Sequence, residues 1–166
     1  ETRIYPCIVV NDTELETMYR NGDYKALSIN EAVSRSAKLY SYFIENQVKV
    51  LRIGLHQSDE LDAGGYVAGP YHKNFAEMVF SRIWRDNLKT LKPENLRSND
   101  IIINVPESQI NHAIGWKGEN KKMLLEMFSS VEFRVAESQS RRVAGSQSLC
   151  VFTSLRLCVF KKHSSS

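Results

Sequence analysis

The run Ile114-Gly115-Trp116-Lys117-Gly118-Glu119-Asn120-Lys121-Lys122-Met123-Leu124 constrains this chain more than any other stretch, because an Ile-Gly-x-x-Gly turn joins two short amphipathic segments. Ile110 and Ile114 precede the turn, and Met123, Leu124, Met127 and Phe128 follow it at helical spacing, so both segments face one core and pin the loop from either side. Glycines at 115 and 118 let the backbone bend sharply and approach a sugar-phosphate chain with no Cβ in the way. The second helix is then expected to present free N–H groups and a positive dipole end, with the Lys117 charge at the tip. No acidic residue occupies the two middle positions. The expected contacts to a nucleic-acid strand are therefore Gly115, Trp116, Lys117, Gly118, Lys121 and Lys122, with Trp116 either stacking on a base or folding down onto its own domain. The alternative is a helical hairpin in which the glycines only end one helix and start the next.

The flanks extend the pattern. Ile101 to Val105 is a β-branched run stopped by Pro106, and Val131 to Val135 alternates apolar with polar residues, giving the order strand, helix, loop, helix, strand. This order resembles the K-homology (KH) RNA-binding domain, whose Gly-x-x-Gly loop holds about four nucleotides of single-stranded backbone. The resemblance spans Ile101 to Val135 and is expected to continue through Leu149 to Phe160 as a third strand, after a loop containing Arg141, Arg142 and Gly145.

Upstream, Arg3 to Val10 reads as a nearly continuous apolar strand interrupted by Pro6. Thr13 to Arg20 reads as a short helix ended by an Asn21-Gly22-Asp23 turn. Ser28-Ile29-Asn30-Glu31 has the form of a capping box, and Ile29, Ala32, Val33, Ala37, Tyr40, Phe43 and Ile44 then make a wide apolar stripe ending near Glu45-Asn46. Val48 to Leu55 is a strand with Val48, Val50 and Ile53 inward, and residues 56–69 form a polar, glycine-rich loop. A second amphipathic helix over Phe75 to Leu91 directs Met78, Val79, Ile83 and Leu91 to a core, and Lys92-Pro93-Glu94-Asn95 breaks it. Leu96 to Asp100 links into the KH-like part, which sets domains at 1–96 and 97–163 and leaves 164–166 as a disordered tail.

With 166 residues, 42% of them hydrophobic, the chain is expected to fold as one or two globular domains. The net charge of +3 is modest. Its placement is uneven, since Lys117, Lys121, Lys122, Arg134, Arg141, Arg142, Arg156, Lys161 and Lys162 gather in the last third, which suits a polyanionic partner. No apolar segment approaches the roughly 20 residues needed to cross a bilayer and no signal peptide precedes the first strand, so a cytoplasmic protein with no membrane partner is expected. Cys7, Cys150 and Cys158 are odd in number and widely spaced, which indicates neither a disulfide framework nor a metal site and is expected to leave buried or half-buried thiols. His56 with Asp59, Glu60 and Asp62 has the ingredients of a metal cluster, but loop carboxylates of this kind are expected to be solvated, and no metal site is assigned. His72 is read as fixing its own turn rather than as a proton carrier. The chain opens at Glu1, not at methionine, and reads as a piece of something longer.

Arg3-Ile4-Tyr5-Pro6-Cys7-Ile8-Val9-Val10, then Thr13-Glu14-Leu15, Tyr19, Gly22 and Tyr24, resemble the last barrel strand and following segment of radical S-adenosylmethionine enzymes related to the catalytic subunit of Elongator. Arg52-Ile53-Gly54-Leu55 and Ala68-Gly69-Pro70-Tyr71-His72 resemble the C-terminal extension of bacterial cousins often labelled oxygen-independent coproporphyrinogen III oxidase-like. The resemblance implies an α/β (α+β) fold: the edge and C-terminal extension of a partial (β/α) barrel, then a small KH-like β-α-α-β domain. It also implies a [4Fe-4S] cluster and S-adenosylmethionine, held through a Cys-x-x-x-Cys-x-x-Cys loop that this chain lacks. The cluster loop and most of the barrel are thus expected upstream of Glu1, and the fragment is expected to be catalytically silent, with no catalytic residue and no cofactor of its own.

Three functions follow as expectations. The first is the C-terminal part of an RNA-modifying radical S-adenosylmethionine enzyme whose KH-like module holds single-stranded RNA such as a tRNA loop, its partner being the upstream barrel. The second is an enzyme of porphyrin synthesis in which the Gly-x-x-Gly turn is structural, and the third a stand-alone RNA-binding module.

Overall fold

Pro6 divides the first apolar run into two strands that join different sheets. In a computed structural model, which describes residues 1–92 and 99–136 together with the backbone of 149–152 and 156–161, β1 (Thr2–Ile4) pairs in parallel with β3 (Val50–Ile53), and β2 (Val9–Val10) pairs antiparallel with β4 (Tyr66–Ala68). The single strand expected over Arg3 to Val10 is corrected accordingly. Proline has no N–H to give a ladder, and the two neighbours that would continue the strand, Tyr5 and Cys7, are exposed.

The chain divides into two compact units, residues 1–82 and 83–166. In the first, Thr13 caps α1 (Glu14–Asn21) by accepting from the Glu16 N–H. The capping box at α2 (Ile29–Glu45) forms in full: the Ser28 hydroxyl accepts from the Glu31 N–H at 3.3 Å, while the Glu31 carboxylate accepts from the Ser28 N–H at 2.9 Å and its hydroxyl at 2.6 Å. Such a cap is worth about 1 kcal/mol. Ala32, Val33 and Ala37 on the α2 stripe are buried, as are Ile4, Val9, Phe75 and Val79. The loop expected over 56–69 contains regular structure, a one-turn α3 (Asp59–Asp62) capped by Ser58 and then β4.

The division falls within α4 (Phe75–Leu88). Trp84 and Leu88, with Leu91 just beyond the helix, are spaced four and three apart on one stripe and are buried with Ile101, Ile103, Val105, Ala113, Leu124, Phe128 and Val131 in the core of the second unit. The last turn of this helix therefore belongs to the second core, whereas the sequence boundary lies among residues 93–98, outside the described residues.

In the second unit β5 (Asp100–Val105) leads through a 3-10 turn at Glu107–Gln109 into α5 (Ile110–Ile114), a second 3-10 turn at Trp116–Gly118, α6 (Glu119–Leu125) and β6 (Ser130–Val135). β5 and β6 run parallel in continuous register from Asp100↔Ser130 to Val105↔Val135, the arrangement a helical crossover permits. The single strand expected from Leu149 to Phe160 is instead an antiparallel pair, β7 (Leu149–Phe152) and β8 (Arg156–Lys161), which completes a four-stranded sheet in the order β6-β5-β8-β7. Ile101, Ile103 and Val105 alternate onto the face that packs on α5 and α6. The loop holding Arg141, Arg142 and Gly145, and the tail 164–166, lie outside the described residues.

Candidate nucleic-acid interface

The Gly-x-x-Gly turn sits where the second core leaves it little freedom. Ala113, at the end of α5, and Leu124, in α6, are fully buried, so the two short helices are anchored on either side of residues 115–118. Asn120 is the bolt between them. It is 1% exposed, and its side-chain amide donates to the carbonyls of His112 at 3.3 Å and Ala113 at 3.2 Å, satisfying groups that the end of α5 would leave orphaned. Sequence reasoning missed this residue, although a polar side chain on the inward side of an apolar repeat was its signal.

The two glycines differ in what they do. Gly115 is buried at φ 94, ψ 156, and a Cβ there meets the Asn120 Cγ at 2.6 Å and its backbone nitrogen at 2.7 Å. Gly118 is left-handed at φ 75, ψ 15, with open space where a Cβ would stand. Their amides do not face outward as expected: the Gly115 N–H donates to the Asn111 carbonyl at 3.0 Å and the Gly118 N–H to the Gly115 carbonyl at 2.8 Å. The Glu119 N–H likewise turns to the Trp116 carbonyl. The expectation of free amides at the start of the second helix is corrected for these three, because the turn closes on itself through 3-10 bonds.

What the turn presents to solvent is cationic. Lys117, Lys121 and Lys122 are exposed, and Lys117 stands at the tip in the left-handed region, φ 53, ψ 25. Trp116 is half-buried, and the Lys117 ammonium lies 6.0 Å from its ring centroid. Arg134, counted among the basic residues of this region, spends its guanidinium on Glu132 through two bonds of 2.7 and 2.8 Å and is correspondingly held above its ordinary pKa.

In the first unit, the turn at Gly69-Pro70-Tyr71-His72 is fastened by its own side chains. The Tyr71 hydroxyl donates to Asp62 at 2.7 Å, Lys73 pairs with the other Asp62 oxygen at 3.2 Å, and the Tyr71 ring meets Tyr66 edge-on. The Tyr71 bond, and then Lys73, hold the Asp62 carboxyl below its usual range, while the same Asp62 bond pushes the Tyr71 phenol up. The His72 Nδ1 accepts from the Asn74 N–H at 3.0 Å, and the His72 carbonyl from the Phe75 N–H at 3.1 Å, so this histidine shapes the entry to α4.

His56 is occupied by the Gln57 carbonyl at 2.8 Å, and among the described residues no three His, Cys, Asp or Glu side chains converge as a metal site. Cys7 is exposed rather than buried. Cys150 and Cys158 oppose one another in the β7–β8 register. No helix among the described residues is long and apolar enough to cross a membrane.

Residues 1–85 match the model of the radical SAM C-terminal domain, and the chain belongs to that family. It is also similar to the tRNA uridine(34) acetyltransferase of Methanocaldococcus jannaschii, with 31% identity over 87 residues, which is 52% of this chain and 15% of the archaeal protein. The chain thus spans about a seventh of that relative's length. No solved structure matches it.

Proposed function

We propose that this chain is the C-terminal part of a radical S-adenosylmethionine enzyme that modifies tRNA, and that its second unit is a KH-like module holding single-stranded RNA. Two observations carry the first half of this reading, membership of the radical SAM C-terminal family and likeness to a tRNA uridine(34) acetyltransferase; the second half rests on the anchored turn at residues 115–118 and its exposed lysines. In this proposal the iron–sulfur cluster and S-adenosylmethionine belong to an upstream barrel whose edge β1 and β3 continue, and not to the residues described above. The RNA-holding surface is the turn 115–118 with Lys117, Lys121 and Lys122, and Trp116 beside it offers a stacking face. Because the amides of Gly115 and Gly118 are taken up internally, the lysine side chains supply the attraction. A grip of this kind positions a strand without reading its sequence, as a base-modifying enzyme requires.

The inward amides also favour a competing reading, in which the turn is purely structural and the substrate is a porphyrinogen. Lys117→Asn separates the two. Asparagine tolerates the left-handed region better than lysine, so the variant should melt at the same temperature or higher while losing a phosphate contact. The measurement is a filter-binding titration with bulk tRNA across salt, beside a thermal melt. The RNA reading expects weaker binding and a smaller salt slope, by roughly 0.7 for one contact. Undiminished binding by a fully folded variant speaks for the structural turn.

A further inference from the structure

Glu119 follows Gly118 directly and is the acidic residue in the first turn of α6. Beside Lys117 and Lys121 its carboxylate opposes a phosphate. Arg85, on α4, lies across from it: the guanidinium Nη1 is 3.6 Å from the Glu119 Oε2, with side chains 37% and 57% exposed. That distance is beyond the span of a good N–H···O bond, so the pair is an ion pair without a close hydrogen bond. Meanwhile the Arg85 Nε is buried and has no protein partner. A guanidinium is a planar fork suited to two parallel bonds with one anionic group; with its Nε shut off from solvent, this one presents its Nη edge, which carries the long Glu119 contact. The residue before it, Trp84, is 2% exposed and donates its indole N–H to Gln109 at 3.2 Å, which fixes this part of α4 against the segment leading into α5.

We propose that Arg85 is a fourth cationic contact to the RNA backbone, with Glu119 the counter-ion it exchanges for a phosphate. This rests on the RNA-holding role of the turn proposed above. A phosphate arriving at residues 117–121 offers the fork two acceptors at short range, where Glu119 offers one at long range. Before RNA arrives, Arg85 cancels the one negative charge in the first turn of α6, so that the strand meets an uninterrupted cationic surface.

The test uses the whole chain and a labelled single-stranded oligouridylate of about twelve nucleotides, with fluorescence anisotropy followed across potassium chloride concentrations. Arg85→Gln is expected to weaken binding about tenfold and to lower the salt slope by roughly 0.7. Arg85→Lys should restore the slope but not the full affinity, since it keeps the charge and loses the fork. Glu119→Gln, an exposed change that leaves the fold alone, should tighten binding. A loss with Lys117→Asn beside unchanged binding in Arg85→Gln overturns the role of Arg85 and leaves the RNA reading standing. Weaker binding in Glu119→Gln overturns the exchange in the same way. Absence of binding by the natural chain, or binding insensitive to salt, overturns both.

Discussion

Alanine at position 115 and alanine at position 118 look like equivalent changes in the sequence, yet their surroundings set very different costs. At Gly115 the backbone lies at φ 94, ψ 156, a region entered essentially by glycine alone, which costs about 1 to 3 kcal/mol for any other residue. The added methyl also meets the Asn120 Cγ at 2.6 Å and backbone nitrogen at 2.7 Å, and Asn120 is a buried residue tied to two carbonyls that has no room to withdraw. Overpacking of this kind adds about 1 to 3 kcal/mol, so a total near 4 kcal/mol is expected. At Gly118 nothing stands within 4 Å and the left-handed conformation alone costs about 1 kcal/mol. A stability of 5 to 15 kcal/mol is typical of a whole domain, so the first change takes a large share and the second a small one. Both tryptophans of the chain, Trp84 and Trp116, lie in the second unit, and their fluorescence in a urea titration reports on that unit alone. With a slope of about 1 kcal/mol per molar, the midpoint should fall by about 4 M for Gly115→Ala and about 1 M for Gly118→Ala. Midpoints within about 1 M of each other would refute the account of Asn120 as the bolt of the turn.

Two further outcomes concern the first unit. Ser28→Ala removes the acceptor that caps α2 and should cost about 1 kcal/mol, read from circular dichroism on melting. Because hydrogen bonds from Ser28 lower the Glu31 carboxyl, the natural chain gains stability above the unfolded carboxylate value of about 4.3 and loses it as pH falls through the lower folded one; the variant should show less of that acid dependence. Asp62→Asn removes the partner that raises the Tyr71 phenol, so one tyrosine in an ultraviolet alkaline titration should move down toward its ordinary value near 10. A tyrosine profile identical to that of the natural chain counts against the Tyr71–Asp62 bond.

Local chemistry was the legible part of this fold. The capping box at Ser28 and Glu31, the Thr13 helix start, the β-branched run at residues 101–105 and the glycine turn at 115–118 each depend on residues a few positions apart, and each lies where spacing alone puts it. Long-range partnership was not. Nothing near Tyr66-Val67-Ala68 announces pairing with Val9 and Val10, and the parallel register of β5 with β6 depends on how α5 and α6 pack between them. The glycine turn shows the same division: its bend between two short helices follows from local spacing, but the inward turn of the glycine amides, the Asn120 bolt and the Arg85 contact with Glu119 arise from tertiary placement.

The burial of Trp84, Leu88 and Leu91 with the strands that follow them decides where this protein can be cut. A truncation starting at residue 97 would discard an indole and two leucines, and would expose the apolar side of Ile101, Ile103 and Val105 to water. Any fusion or isolated version of the second unit should therefore begin upstream of Trp84, carrying the end of a helix that by family membership belongs to its neighbour.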